Sequence, residues 1–165
     1  MVVLGVDPGT ATTGYGVLEE LRGKARLIDY GVIRTPANID QSGRLLEIHN
    51  RLEELIDLYR PSVLAIEELF FSRNVKTALM VGQARGVILM TAAQKGLSVH
   101  EYTPLQVKQA VVGLGNADKR QVQAMVKAIL QIKELPKPDD AADALAVGIC
   151  HIHSARLRKV RETEG

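Results

Sequence analysis

The chain has 165 residues, 46% of them apolar and 24% charged, with a formal net charge of +2. These values describe one globular domain with room for a real core and exclude a disordered segment. The single cysteine, Cys150, has no partner for an intramolecular disulfide and fits a reducing compartment, and no Cys/His spacing marks a zinc site. No apolar run is long enough to span a bilayer, and MVVLGVDPG lacks the basic region of a signal peptide, so a cytoplasmic protein is expected.

Residues 2–7 read as a first strand, which Pro8 must end because it cannot donate to a ladder. Gly14 to Leu21 and Arg26 to Arg34 read as two more strands around a turn at Arg22-Gly23-Lys24, suggesting an antiparallel meander. Gly43 to Tyr59 places Leu45, Leu46, Ile48, Leu52, Leu55, Ile56 and Tyr59 at helical spacing before Pro61. Residues 62–67 read as a fourth strand, apolar from Val63 to Ile66 and closed by Glu67, as in a buried parallel strand. Asn74 to Gln94 reads as a long helix with Gly96 as its stop, and Leu97 to Tyr102 as a fifth strand. Thr103-Pro104-Leu105-Gln106 is a capping-box pattern that opens a short helix to Val112. Asn116 is expected to cap a helix to Ile132, and the last helix is expected over Asp139 to Arg158. The order βββαβαβααα describes an α/β domain over 1–158, a five-stranded mixed sheet flanked by helices, with 159–165 expected to fray.

Acidic residues stand where these elements end or begin. Asp7 closes the first strand, Glu67 and Glu68 close the fourth, and Asp139, Asp140 and Asp143 open the last helix. Ligands of open α/β sheets bind outside the carboxyl ends of the strands. Carboxylates gathered there repel one another unless cations neutralise them, and hard oxygen ligands suit Mg²⁺ or Mn²⁺. The leading reading is a two-metal phosphodiester hydrolase. Spacing leaves open which of Glu67 and Glu68 faces inward. It also leaves Asp139 with Asp143 as an alternative to Asp140 with Asp143, and an acid in a first turn is explained by capping alone. The apolar face of the last helix, Ala142, Leu145, Ala146, Ile149 and Ile152, is expected to turn away from these acids.

The strings LGVDPGTATTGYGV, AIEELFF, ALMVGQARGV, PLQVKQAVVGLGNADKRQVQ and DDAADALAVGICH run in order over residues 4 to 151. Together they resemble the RuvC family of Holliday junction resolvases. The resemblance implies a ribonuclease H-like fold and a homodimer that cuts four-way DNA junctions in recombination and repair. It further implies two Mg²⁺ ions per site, with Mn²⁺ able to substitute, 5′-phosphate and 3′-hydroxyl products, and a branch-migration helicase complex as partner. The family's acidic tetrad falls on Asp7, Glu67, Asp140 and Asp143.

The resemblance also places Lys108 and Lys119 beside the cut DNA and points to Phe70 as an aromatic that stacks on an unpaired base. Arg73, in the loop that follows, is a further candidate for DNA contact. On spacing alone Lys108 is unremarkable, and Lys119 opposes its helix dipole unless Asp118 compensates. Phe70 and Phe71 also suit core anchors. Arg120 and Lys127, with Arg156, Arg158, Lys159 and Arg161, add basic surface that leans weakly to nucleic acid. Ala78, Gly82 and Gly86 recur every fourth residue of the long helix, for close packing on the sheet or for a dimer contact that the resemblance favours. His49, His100, His151 and His153 read as structural or surface residues. Asp7-Pro8-Gly9-Thr10 also resembles the first phosphate loop of actin-like ATPases, a class that needs a second nucleotide-clamping domain.

Overall fold

The structure, a computed structural model, describes residues 1–69 and 74–164. Five strands form one sheet, β1 (Val2–Asp7), β2 (Thr12–Leu21), β3 (Lys24–Arg34), β4 (Val63–Glu67) and β5 (Ser98–Tyr102), in the spatial order β3-β2-β1-β4-β5. The first three make the expected antiparallel meander, and β1, β4 and β5 are parallel. The β2–β3 turn is tighter than read from sequence: Leu21 pairs with Lys24, leaving Arg22 and Gly23 as a two-residue loop with φ of 53° and 78°. Positive φ at both positions matches the twist of the flanking strands.

Helices α1 (Gln41–Tyr59) and α2 (Val75–Gln94) cover one face of the sheet. The other face carries α3 (Pro104–Val112), α4 (Lys119–Leu130) and α5 (Asp139–Glu164). Strand alternation divides the core between these faces. Leu4, Val6, Leu64 and Ile66 pack with Ile48, Leu52 and Ile88 on the α1/α2 side. Val3, Val63 and Ala65 pack with Leu145 and Ile149 on the α5 side. Each large aliphatic side chain so buried contributes about 1.5–3 kcal/mol.

Helices α4 and α5 depart from the sequence reading. Asp118, not Asn116, caps α4, because Gln121 three residues on completes a capping box: Asp118 accepts from the Gln121 N–H at 2.9 Å, and the Gln121 side chain accepts from the Asp118 N–H at 2.8 Å. Asn116 has Lys119 at the equivalent position and cannot form it. Helix α5 continues to Glu164 instead of ending at Arg158, since residues 157–164 contain neither Gly nor Pro to stop it. Nor does α5 have a single apolar face. Ala141, Ala142 and every residue from Ala144 to Ile152 are buried, between the sheet below and α3 and α4 beside it. Its acids are therefore set apart by lying at the end of the helix, not on an opposite face.

Candidate active site

Parallel pairing of β1 and β4 brings their carboxyl ends together, and the register Val6↔Ile66 sets Asp7 next to Glu67. Asp7 follows Val3 and Gly5 on the α5 side of β1, and Glu67 follows Val63 and Ala65 on the same side of β4. This alternation selects Glu67; Glu68 falls on the other face and is exposed.

The amino end of α5 closes over this point because two glycines let it. A Cβ on Gly14, which pairs with Asp7 across β1–β2, would stand 2.0 Å from the Asp140 carbonyl oxygen. A Cβ on Gly5 would stand 2.1 Å from the Ala144 carbonyl oxygen. Both contacts are with backbone, so only glycine allows the helix to lie this close to the sheet. Asp7, Asp140 and Asp143 then each offer a carboxylate oxygen within 4.8 Å of the others.

The turn after Asp7 is held by the chain itself. Thr13 Oγ1 donates to the Gly9 carbonyl at 2.6 Å and Thr35 Oγ1 to the Thr10 carbonyl at 2.6 Å, while the Thr35 N–H donates to Ala11 at 3.1 Å. The Asp-Pro-Gly-Thr segment is thus a fixed strand-to-strand turn that aims Asp7.

Electrostatics single out Asp7. Burial, then Asp143, Asp140 and Glu67, push its pKa up to about 8, so it holds a proton at neutral pH when no cation is present. Glu67 is raised by burial and by Asp143, against Lys108. Asp143 is raised by burial, against Lys119. An all-oxygen cluster that cannot fully ionise by itself has the chemistry of a hard divalent cation site, and the residues present fit one.

Lys119 reaches this cluster, with its Nζ 3.3 Å from Asp139 and 3.5 Å from Asp143. Partial burial lowers its pKa, but Asp143 and Asp139 outweigh that and hold it raised. Lys119 and Lys108 share with Glu67 and Asp143 a cleft of about 260 Å³ floored by Val107, Ala117, Ala146 and Val147. Asp139 is exposed and occupied with Lys119 and Gln123, not with Asp7, so the Asp139–Asp143 alternative does not describe the cluster. His151 is buried, with Nδ1 2.7 Å from the Tyr102 hydroxyl and its ring against His100, as a structural residue. Burial holds the Cys150 thiol up at about 11, which makes it inert. Phe70 and Arg73 lie outside the described residues. Gly5 and Gly14 were not singled out in the sequence; the only signal is a glycine inside an otherwise apolar strand, which marks a close backbone approach.

The family model described as "Crossover junction endodeoxyribonuclease RuvC" matches residues 3–151. Proteins of that name from Heliobacterium modesticaldum and Syntrophomonas wolfei are 60% and 57% identical, covering 93% and 99% of this chain and 95% of each relative. The structure of Thermus thermophilus RuvC in complex with Holliday junction substrate superposes with a TM-score of 0.90 at 42% identity over 96% of both chains. The yeast mitochondrial Holliday junction resolvase, at 14% identity and a TM-score of 0.72, shares the fold. The sheet order, the flanking helices and these relatives make the domain ribonuclease H-like, and the chain belongs to the RuvC family of crossover junction endodeoxyribonucleases.

Proposed function

We propose that this protein resolves four-way DNA junctions by hydrolysing one phosphodiester in each of two opposed strands, with Asp7, Glu67, Asp140 and Asp143 holding two Mg²⁺ ions. The observation that carries the reading is the convergence of Asp7, Asp140 and Asp143 within 4.8 Å at the carboxyl end of the parallel strands, with Glu67 beside them. When bound, the cations supply charge neutralisation at the scissile phosphate and a water acidic enough to attack at neutral pH. The chain's own part is to fix the carboxylates on two strand ends and one helix end. Lys108 and Lys119 at the cleft contact phosphates beside the cut, and Lys119 exchanges its carboxylate partners for DNA. The buried Cys150 thiol and Thr13 hydroxyl donate to the main-chain carbonyls of Gln106 and Gly9, which favours direct hydrolysis and 5′-phosphate products that a ligase can seal.

Two cuts need two sites. The outer side of α2 exposes Val75, Leu79 and Met90 at 69%, 63% and 53%, and a Cβ on Gly86 would meet nothing within 4 Å. Of the small-residue series only Ala78 is buried, so the series does not serve tight packing on the sheet along its whole length. This face suits a second copy of the chain. Phe70, three residues past Glu67, stacks on a base freed at the junction centre, a contact worth about 1–3 kcal/mol, and Arg73 follows on the same DNA. A cytoplasmic setting fits a DNA substrate, and no helix among the described residues is long and apolar enough to cross a membrane. A branch-migration helicase complex would deliver the junction.

The test is substrate choice in Mg²⁺: a synthetic mobile four-way junction, a linear duplex and a linear RNA at equal concentration. Paired cutting of the junction alone supports the reading. Preferential cutting of RNA would replace it with an RNA-processing nuclease of the same fold. Phe70→Ala should lose cleavage of a fully paired junction and regain it when bases at the cut site are already unpaired; equal loss on both would return Phe70 to the core.

A further inference from the structure

Helix α2 carries two charged residues: Lys76, which is exposed, and Arg85, whose side chain is only 11% exposed. A guanidinium is seldom buried without partners. Arg85 has two, donating to the main-chain carbonyl of Glu67 and to the carboxylate of Glu101 on β5. The sheet explains why that carbonyl needs a donor from outside it. Successive residues of β4 turn their peptide groups alternately to β5 and to β1. The Glu68 N–H donates to Tyr102 on β5 at 2.7 Å, so the Glu67 carbonyl turns toward β1. The register Val6↔Ile66 places Pro8 at the rung where β1 should supply an N–H. Pro8 has none. Arg85, Pro8, Asp7 and Glu67 line one cavity of about 80 Å³, so the guanidinium stands where the missing donor would point.

We infer that Arg85 is a positioning residue of the acidic centre: it makes the hydrogen bond that Pro8 cannot, and so fixes the backbone from which Glu67 faces Asp7. Glu101 neutralises it and holds its plane. Its charge is spent on the carbonyl and on Glu101, while the groups that act on the Glu67 carboxylate are Asp143 and Lys108. The inference rests on the reading of the four acids as a cation site. It also makes α2 a two-sided element, with its outer face free for a second copy and its inner face bracing the catalytic strand.

The experiment reads Mn²⁺ binding to the DNA-free protein by paramagnetic resonance, in the wild type, Arg85→Ala, Arg85→Met and the double variant Pro8→Ala/Arg85→Ala. Thermal melts establish that each is folded, and junction cleavage is measured in parallel. Arg85→Ala and Arg85→Met should weaken Mn²⁺ binding about tenfold, the usual scale for residues that orient metal ligands, and should lower kcat with KM for the junction held. Pro8→Ala returns a main-chain N–H to the vacant rung and should recover most of the lost affinity in the double variant. A residue that only stabilised the fold would not be rescued in this way. Wild-type Mn²⁺ binding in folded Arg85→Ala or Arg85→Met, or no recovery in the double variant, overturns the role given to Arg85 and leaves the cation site standing. Absence of Mn²⁺ binding in the wild type overturns both.

Discussion

Replacing Asp7 with Asn should abolish cleavage and yet stabilise the metal-free protein. Burial and three neighbouring acids hold the Asp7 pKa at about 8 in the folded chain, against an ordinary 3.8. At pH 7 the folded state therefore keeps a proton that the unfolded state has released. The stability lost is thus absent below about pH 4 and accumulates as pH rises toward 8. About three pK units lie between 3.8 and neutral pH, which sets a ceiling of about 4 kcal/mol. Water reaching the partly exposed site screens part of this, leaving on the order of 2 kcal/mol. Asn carries no charge in either state and escapes the cost. For a chain of this length each kcal/mol moves Tm by about 2–4 °C, so Asp7→Asn should melt about 4–8 °C higher in EDTA at pH 7. The gain should shrink at pH 4, and Mg²⁺ should raise the wild-type Tm while leaving that of Asp7→Asn in place. Melts followed by circular dichroism across pH give the answer. No gain at neutral pH, or the same gain at pH 4, would refute the electrostatic account of the site.

Gly14→Ala sets a methyl against the Asp140 carbonyl and must lift the start of α5; a stability loss of about 1–3 kcal/mol by denaturant titration and a fall in kcat of about a hundredfold are expected. Lys108→Ala and Lys119→Ala should each flatten the slope of log K against log salt by about one unit in junction-binding titrations, with slower cleavage. Lys119→Ala should also move Mn²⁺ binding to higher pH, because Lys119 opposes the burial that raises the Asp143 pKa. Burial, His100 and Arg158 hold His151 down at about 4, so it folds neutral. The unfolded state binds its proton first, and stability should be lost as pH falls from about 6.5 toward 4; acid melts of His151→Gln should show a shallower loss over that window.

The parts of the site that lie along the chain were legible, and the parts that lie across it were not. Asp7 and Glu67 announce themselves because a charge ends an apolar parallel strand. The choice between Glu67 and Glu68 needed the faces of β4, which depend on what covers each side. Asp140 and Asp139 are equally good first-turn acids, and they separate only because Gly14 brings one turn of α5 against the strand opposite Asp7. The uniform burial of α5 escaped periodicity because small residues, Ala and Gly, fill the positions between its larger ones. At Asn116 a plausible cap lost to Asp118, whose Gln121 offers a second bond. The role inferred for Arg85 depends on an N–H that proline lacks one strand away, a relation that only the register reveals.

The most direct test of the central claim follows a labelled mobile junction with rising Mg²⁺, in the wild type and in Asp7→Asn, Glu67→Gln, Asp140→Asn and Asp143→Asn. The account predicts paired, ligatable nicks that require the cation and disappear in each variant, while every variant still binds the junction in EDTA. Nicking in EDTA, or undiminished nicking by any of the four variants, would contradict it.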